Sequence, residues 1–460
     1  MGQELNSPLR ENKMGTKKVA PLLITMALPM IASMLVQALY NIVDSYYVSH
    51  YSDAALNALS LAFPVQNMMI GFATGIAVGV NALFSKSLGE HENERANRCA
   101  GNGIFLMICA VVLFVLFGAF GTRLFYTVQT SDADVIAGGT SYVSICCIFS
   151  LGIFAEVLFE RLLQASGRTL HTMITQGTGA VLNIILDPLF INGYAPLGIP
   201  EMGVAGAAIA TVIGQWVAAI LALIFNFLFN PDVKLRLHYL KPDGHILKPV
   251  MIVGIPTAVM MAIGSVMNFG MNQIFQRMDE TATNVFGIYY KLQSFFFMPI
   301  FGLNNATISI VAFNYGARNP DRIKKTLWLA VAVAIGIMTL GLLAFQLIPD
   351  QLLSIFGQGA HFADIGRSAL RIISIHFPVA AVCIILGGCF QALGNGLYST
   401  ITSLCRQLIV LLPAAYLLSL TGQVNAVWWS FPIAEVASLL VTLFFFVRIW
   451  KKRICPLQMN

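Results

Sequence analysis

Long apolar runs follow one another along the chain and are separated by short polar segments. Twelve runs are long enough to cross a bilayer, because a helix needs about 20 mostly apolar residues to span about 30 Å of hydrocarbon. They cover residues 19–48, 57–84, 98–121, 135–159, 168–191, 203–229, 248–276, 285–312, 325–348, 366–388, 396–420 and 426–449. Continuous runs of this length are typical of membrane helices and not of barrel strands. The pattern therefore predicts an all-α integral membrane protein with twelve transmembrane helices.

The second half of the sequence repeats the first half at a spacing of 227 residues. Matching positions include Pro29 with Pro256, Gln66 with Gln293, Gly75 with Gly302, and the Gln-Ala-x-Gly segments that begin at 164 and 391. Because each copy holds six spans, both copies start on the same side of the membrane, which predicts a parallel repeat of two pseudo-symmetric lobes. The predicted divisions are an N-terminal segment (1–18), an N-lobe (19–229), a linker (230–247), a C-lobe (248–450) and a tail (451–460).

Composition and charge indicate how the chain is oriented. Hydrophobic residues make up 57% of the chain and charged residues 10%, against roughly 25% charged in soluble proteins. Of the 27 Lys and Arg residues, 21 fall on one side of the predicted spans, whereas only Arg123 and Arg277 occupy loops on the other side. Because basic loops stay in the cytoplasm, both termini are predicted to be cytoplasmic. The net charge of +6 then reflects topology and anionic lipid, and no nucleic-acid partner is expected.

Acidic residues inside the predicted spans are the first functional candidates, because a charge in hydrocarbon costs a few kcal/mol. Five qualify: Asp44, Glu156, Glu160, Asp187 and Glu435. Asp44 and Asp187 each lie about 6 Å from the outer end of a span. Asn183 precedes Asp187 by four residues, so both project from one helix face. Together with Thr211, these residues could bind H⁺ or Na⁺, and the residues alone leave the choice of ion open.

The other candidates have structural alternatives. Glu156 and Glu160 could form a pair that snorkels to the inner interface beside Arg161. The embedded bases Lys291, Arg371 and Arg406 could meet Glu435, anionic substrate groups or helix-end carbonyls. The secondary site candidates are Gln37, Tyr40, Glu156, Glu160, Lys291, Arg371, Arg406 and Glu435.

Two further features concern the helices themselves. Pro29 interrupts the first span and could be a point of bending when the charge of Asp44 changes, or a passive kink. Gly71, Gly75 and Gly79 follow the small-xxx-small pattern, which predicts close packing of the second span against another helix.

Five segments suggest a known family. They are LVQALYNIVDSYYV at 35–48, LLQASGRT at 162–169, NIILDPLF at 183–190, GVAGAAIAT at 203–211 and FGLNNATISIVAFNYGARNPDRI at 301–323. With the tandem halves, they resemble the multidrug and toxic compound extrusion (MATE) family over nearly the whole chain, closest to its bacterial multidrug-pump branch. The resemblance implies a twelve-helix antiporter of the bacterial cytoplasmic (inner) membrane that exports organic, often cationic, compounds in exchange for H⁺ or Na⁺.

The resemblance also implies roles for individual residues. Asp44, Asn183, Asp187 and Thr211 match the family's cation-coupling site, and Pro29 matches the proline at which the first helix is thought to bend. One branch of the family carries acids in the seventh and tenth helices, which are absent here, so no cation site is expected in the C-lobe.

The presence or absence of sequence motifs bears on other possible functions and partners. No Gly-x4-Gly-Lys-Ser/Thr loop is present, so ATP is not expected as the energy source. A flippase for a lipid-linked saccharide or another amphipathic substrate is an alternative, and a membrane-embedded enzyme is disfavoured because Gly-x-Ser-x-Gly and His-Glu-x-x-His motifs are missing. We expect no catalytic residues and no cofactor beyond the coupling ion, and no metal except Na⁺ at Asp44 and Asp187. The expected partners are a small, cationic organic substrate and membrane lipid, and the protein is expected to be a monomer.

Overall fold

The structure is a computed structural model. It describes the backbone of residues 12–51, 53–194, 196, 198–356 and 359–458, and the side chains of these residues except 40–51, 53, 56 and 458. The side chains of the candidate residues Tyr40 and Asp44 therefore lie outside the described residues.

The N-terminal half of the described chain consists of helices. They are α1 (Lys13–Thr16), α2 (Val19–Tyr51), α3 (Asp53–Gly89), α4 (Asn93–Phe120), α5 (Thr122–Gln129), α6 (Ala133–Ile148), α7 (Leu151–Ala165), α8 (Thr169–Ile191) and α9 (Gly203–Phe229). One isolated antiparallel bridge joins Tyr194 to Ile199 in the loop between α8 and α9. A short 3₁₀ helix, Leu237–Leu240, lies in the segment that leads to the second half.

The C-terminal half repeats this arrangement. Its helices are α10 (Gly244–Met278), α11 (Glu280–Gly316), α12 (Pro320–Leu347), α13 (Pro349–Ser354), α14 (Ala360–Ser374), α15 (Phe377–Ala392), α16 (Gly396–Leu404), α17 (Leu412–Ser419), α18 (Val424–Val427) and α19 (Ser430–Ile449). A π-helical stretch, Cys405–Leu411, joins α16 to α17. A second π stretch, Trp450–Ile454, and a 3₁₀ turn, Cys455–Gln458, extend α19.

The membrane spans agree with the sequence prediction. In the described part of the chain, ten helical stretches are long and apolar enough to cross a bilayer, and two bent helix pairs raise the number to twelve if each pair forms one span. The pairs are α6–α7, bent by 45°, and α14–α15, bent by 49°. The predicted all-α membrane fold is confirmed, and the fourth and tenth predicted spans each consist of two helices.

The breaks in the two bent pairs occupy equivalent places in the two halves. At the first break the indole of Trp216 donates to the carbonyl of Phe149 at 3.1 Å, so a carbonyl released by the break keeps a partner. At the second break, proline occupies one of the first two positions of α15, where its missing N–H is tolerated.

Helix bounds reproduce the sequence repeat. Helices α3 (53–89) and α4 (93–120) have the same lengths as α11 (280–316) and α12 (320–347), and all four bounds are displaced by 227 residues. Helix α10 begins at Gly244, within the predicted linker segment, and the Asp243 carboxylate accepts from the backbone N–H of His245 there.

The halves meet along α3 and α10, where the predicted glycine contact is confirmed. A Cβ atom added to Gly79 would lie 2.3 Å from the carbonyl oxygen of Val250, and one on Gly75 would lie 2.5 Å from that of Gly254. At Gly71, one helical turn further along, the nearest backbone oxygen is 3.5 Å away. The two helices therefore touch near Gly79 and diverge towards Gly71.

The basic segments of the chain gather at one end of the molecule, which we call the basic end. The Arg322 guanidinium of α12 donates to the carbonyls of Met14 at 2.8 Å and Lys17 at 2.7 Å, and to the side-chain oxygen of Asn314 at 3.0 Å. A Cβ on Gly316 would lie 2.1 Å from the backbone oxygen of Lys86. Helix α1 therefore packs on the C-lobe, and the two lobes contact each other closely at this end.

Candidate functional site

The main candidate site lies between α8 and α9 in the N-lobe. These helices approach closely at a pair of glycines, because a Cβ on Gly179 would lie 3.1 Å from the carbonyl oxygen of Gly214. Asn183 and Asp187 follow Gly179 at intervals of four residues and share the buried face of α8. The close approach lets polar groups of α9 reach these side chains.

Asp187, Asn183 and Thr211 form one hydrogen-bonded group, which we call the outer triad. The partners of Asn183 define its amide orientation: its nitrogen donates to Oδ2 of Asp187 at 2.7 Å, and its oxygen accepts from the Thr211 hydroxyl at 3.2 Å and the Thr211 N–H at 3.1 Å. Asp187 is 0% exposed and Asn183 is 3% exposed. The structure brings together these three of the residues that the sequence analysis names as a cation-coupling site, and the amide orientation of Asn183 is assigned from its partners.

Such a group can take up either of two ions. A buried carboxylate gains stability by binding a proton, whereas Na⁺ would need several oxygen ligands, of which the triad offers a carboxylate, an amide and a hydroxyl. Asp44 lies on α2, which packs against α8. Its predicted contribution to this site remains a prediction.

Pro29 lies within the continuous helix α2 and has no N–H to donate to the carbonyl of Thr25, four residues earlier. The hydroxyl of Thr169, the first residue of α8, reaches that carbonyl at 3.4 Å. In the C-lobe, a Cβ on Gly302 of α11 would lie 2.8 Å from the backbone nitrogen of Ile31. The predicted bending point therefore lies where α2 contacts both lobes.

One member of the second acidic pair, Glu160, is buried, although one of the sequence interpretations placed the pair at the inner interface. Glu160 is 2% exposed, so it cannot snorkel. The hydroxyl of Thr175 donates to its Oε1 at 2.6 Å, and the amide of Gln176 donates to its Oε2 at 2.7 Å. Glu156 is half-buried one turn away. The interfacial interpretation is wrong for Glu160 because two partners on α8 make burial of its carboxylate tolerable.

In the C-lobe, the structure joins one of the three predicted bases to the predicted acid. Nη1 of Arg406, in the π stretch, lies 3.4 Å from Oε2 of Glu435. The side chain of Glu435 is 3% exposed. Lys291 and Arg371 are exposed and form no ion pair with any described residue. Gln37 is also exposed, on α2. Among the described residues, the predicted acid therefore pairs with one of the three bases.

Sequence reasoning missed the two hydrogen-bond partners of Glu160, Thr175 and Gln176. The signal that could have found them is the polar spacing along α8, where the buried positions include Thr172, Thr175, Asn183 and Asp187 at helical intervals. Neutral polar residues on the buried face of a membrane helix need partners, because lipid offers none.

Comparison with known proteins agrees with this geometry. The sequence profile described as MatE matches residues 29–189 and again residues 256–417. The chain belongs to the MatE family. Its two matched segments begin at the equivalent prolines, Pro29 and Pro256, so the MatE profile covers the same repeat that the helix bounds define.

Relatives within the MatE family match along most of their length. The chain is 26% identical over 439 residues to a "Probable multidrug resistance protein NorM" of Thermotoga maritima, covering 94% of this chain and 93% of that protein. It is 24% identical over 412 residues to the "Multidrug export protein MepA" of Staphylococcus aureus, covering 89% of each.

Solved structures share the fold. One is described as the outward-facing conformation of a multidrug resistance MATE family transporter of the MOP superfamily. It superimposes with a TM-score of 0.91 at 23% identity, covering 99% of this chain and 100% of that one. A crystal structure of MATE in the straight conformation superimposes with a TM-score of 0.90 at 23% identity, covering 98% of this chain and 99% of that one.

Proposed function

We propose that the protein is an ion-coupled antiporter that exports organic, cationic compounds by alternating access. The observation that carries the proposal is the outer triad, in which the carboxylate of Asp187 is fully buried in a membrane lobe and hydrogen-bonded to Asn183. A buried intramembrane carboxylate is costly, and binding of a cation offsets that cost. Membership of the MatE family and the names of the drug-exporting relatives support the same function.

The geometry of the two lobes supports alternating access. Helices α3 and α10 touch near Gly79 and diverge towards Gly71, so the lobes are closed at the basic end. Rocking of the lobes about this contact would expose a site between them to one side at a time.

The ion gradient is sufficient for useful export. A membrane potential of 100 mV is worth about 2.3 kcal/mol per elementary charge, and about 1.4 kcal/mol corresponds to a tenfold concentration ratio. One exchanged cation can therefore sustain a ratio of about 50-fold for a neutral substrate. A monovalent cationic substrate needs a second ion or a chemical ion gradient, because its own charge opposes the exchange.

The test uses purified protein in liposomes loaded with a fluorescent cationic dye, under an imposed pH gradient or an imposed Na⁺ gradient. We expect one of the two gradients to drive dye transport, and Asp187→Asn to reduce the rate at least tenfold. Asp364→Asn is the control, because Asp364 is an exposed aspartate that pairs with Arg367. Wild-type rates in Asp187→Asn under both gradients would refute the coupling role.

The flippase alternative gains no specific support. It relied on three embedded bases that could bind a pyrophosphate group, but Arg406 is already paired with Glu435. Translocation of a fluorescent lipid-linked saccharide in the same liposomes, without dye transport, would favour the flippase over the exporter.

A further inference from the structure

A polar stripe runs along the buried face of α8. Thr172, Thr175, Gly179, Asn183 and Asp187 are all buried and follow one another at intervals of three or four residues, so they lie on one face of the helix. Asp187 is at one end of this stripe. At the other end, towards the basic end, the stripe meets Glu160 of α7.

Glu160, like Asp187, lies in a group with one amide and one threonine, but here both donate to the acid itself. In the outer triad, Asp187 is grouped with the amide of Asn183 and the hydroxyl of Thr211. In the second group, which we call the inner triad, the amide of Gln176 donates to Glu160 at 2.7 Å and the hydroxyl of Thr175 at 2.6 Å. Each acid is therefore grouped with one amide and one threonine.

One hydrogen-bonding atom of the inner triad has no partner among the described residues. Oε1 of Gln176 is buried and has no hydrogen-bond partner among the described residues. An amide carries a donor and an acceptor, and a hydroxyl can act as either. If Gln176 turns its amide over, its oxygen accepts from a protonated Glu160, and the Thr175 hydroxyl remains a partner. Both protonation states of Glu160 can thus be hydrogen-bonded in place.

The inner triad suits a proton and not a metal cation. Both oxygens of Glu160 already accept hydrogen bonds from donors, whereas Na⁺ or Ca²⁺ would need those positions and further oxygens. The charges acting on Glu160 are those of Glu156 and Arg161, both on α7. Helix α8 donates to Glu160 from the neutral Thr175 and Gln176. Helices α3, α4, α9 and α11 also pack against α7, and the hydrogen bonds to α7 from α9 and α3 come from the neutral Asn226 and Ser85, to the carbonyls of Phe159 and Ala165.

The two triads are linked by one helix but separated by a close contact between α8 and α9. Gln176 and Asp187 are eleven residues apart, three helical turns, so they share a face at a separation of about 16 Å. Between them, Gly179 packs against the backbone of Gly214 and the side chain of Ala218, each 3.1 Å from a Cβ placed on Gly179. No polar side chain of the stripe fills this interval.

We propose that Glu160 is a second protonation site of the N-lobe, on the basic-end side of Asp187. The Gly179–Gly214 contact separates the two sites in this conformation. This inference rests on the proposed coupling at Asp187 and names the proton as the ion bound at the inner site. The proton binds one oxygen of Glu160, held by Gln176 and Thr175, and leaves towards the basic end.

The direct test is infrared difference spectroscopy of the purified full-length protein between about pH 5 and about pH 9. We expect a carboxylic acid C=O stretching band that is lost at high pH, and Glu160→Gln should remove one component of it. Asp187→Asn should remove a different component and leave that of Glu160. Glu94→Gln is the control, because Glu94 is an exposed acid paired with Arg98. A Glu160→Gln spectrum equal to that of the wild type would overturn the proposal.

A transport measurement separates a proton site from a structural role. Exchange of labelled for unlabelled dye across liposomes at equal pH needs no net proton movement. We expect Glu160→Gln to retain this exchange within about twofold and to lose pH-driven uptake at least tenfold. Equal loss of both rates would mean that Glu160 only supports the fold, and would overturn the proposal.

A second variant covers the case in which Glu160→Gln does not fold. Thr175→Val keeps the acid and removes one donor to it, and should move the pH midpoint of the Glu160 band by about one unit or more. An unmoved midpoint would overturn the proposal. Failure of the proposed export function would appear separately, as wild-type liposomes that transport no dye under either gradient.

Discussion

The glycine contact between the lobes gives the sharpest prediction. Replacing Gly79 by Ala places a methyl group 2.3 Å from the backbone oxygen of Val250 and 3.0 Å from its Cγ1 atom. The oxygen belongs to the backbone of α10, so it cannot rotate away as a side chain could. Helix α3 must therefore move away from α10 at the basic end.

The size of the effect follows from these distances. Ordinary contact begins at about 3.4 Å, so the helices must separate by about 1 Å. Overpacking of this kind costs about 1–3 kcal/mol in a close-packed interior. The cost applies to the conformation in which the basic end is closed and is relieved when that end opens. We therefore expect the ratio of open to closed molecules to rise by about 5-fold to 150-fold.

The assay measures the distance between the lobes. Spin-labelled amino acids at Glu94 and Asp321, which are exposed and equivalent in the two repeats, report separation at the basic end by pulsed electron resonance. Gly79→Ala should increase the population of long distances. Gly71→Ala is a matched control on the same helix, because its methyl group would lie 3.5 Å from the nearest backbone atom, an ordinary contact. Unchanged distances in Gly79→Ala, or an equal change in Gly71→Ala, would refute the reasoning.

Two further predictions concern the ends of the molecule. Arg322→Ala removes three hydrogen bonds that hold Met14, Lys17 and Asn314, so amide exchange of residues 12–17 should speed up at least tenfold. Arg95→Ala is the matched control, because Arg95, its repeat equivalent, donates to Glu90 and Glu92 and to no other described residue. Equal exchange in both variants would contradict the prediction. Asp279 caps α11, and its hydrogen bond with His361 holds the pKa of its carboxyl below the usual value. A carboxyl with a lowered pKa stabilises the folded protein above the unfolded pKa of about 3.9, and this stabilisation is lost as the pH falls through the folded pKa. Asp279→Ala should therefore lower the free energy of unfolding at neutral pH by about 1 kcal/mol, as measured by thermal unfolding. A stability difference between the variant and the wild type that persists undiminished at about pH 3 would contradict this account.

The sequence by itself determined the membrane fold and its duplication. Long apolar runs have one solution in lipid, because only helices satisfy their own backbone there. The constant spacing of the repeat also holds for the helix bounds, because α3 and α11 begin and end at equivalent residues. The grouping of Asn183 with Asp187 was also readable, because four residues on a helix fix a shared face.

Only the tertiary structure decided which buried charged groups have hydrogen-bond or ion-pair partners, and which residues those partners are. The partners of Glu160 lie on the next helix, 15 and 16 residues away, and Arg406 meets Glu435 at a separation of 29 residues. Spacing along one helix cannot reveal such contacts, because they depend on the rotation of each helix about its axis. That rotation is fixed by close contacts such as Gly179 with Gly214 and Gly79 with Val250, which involve both partners at once.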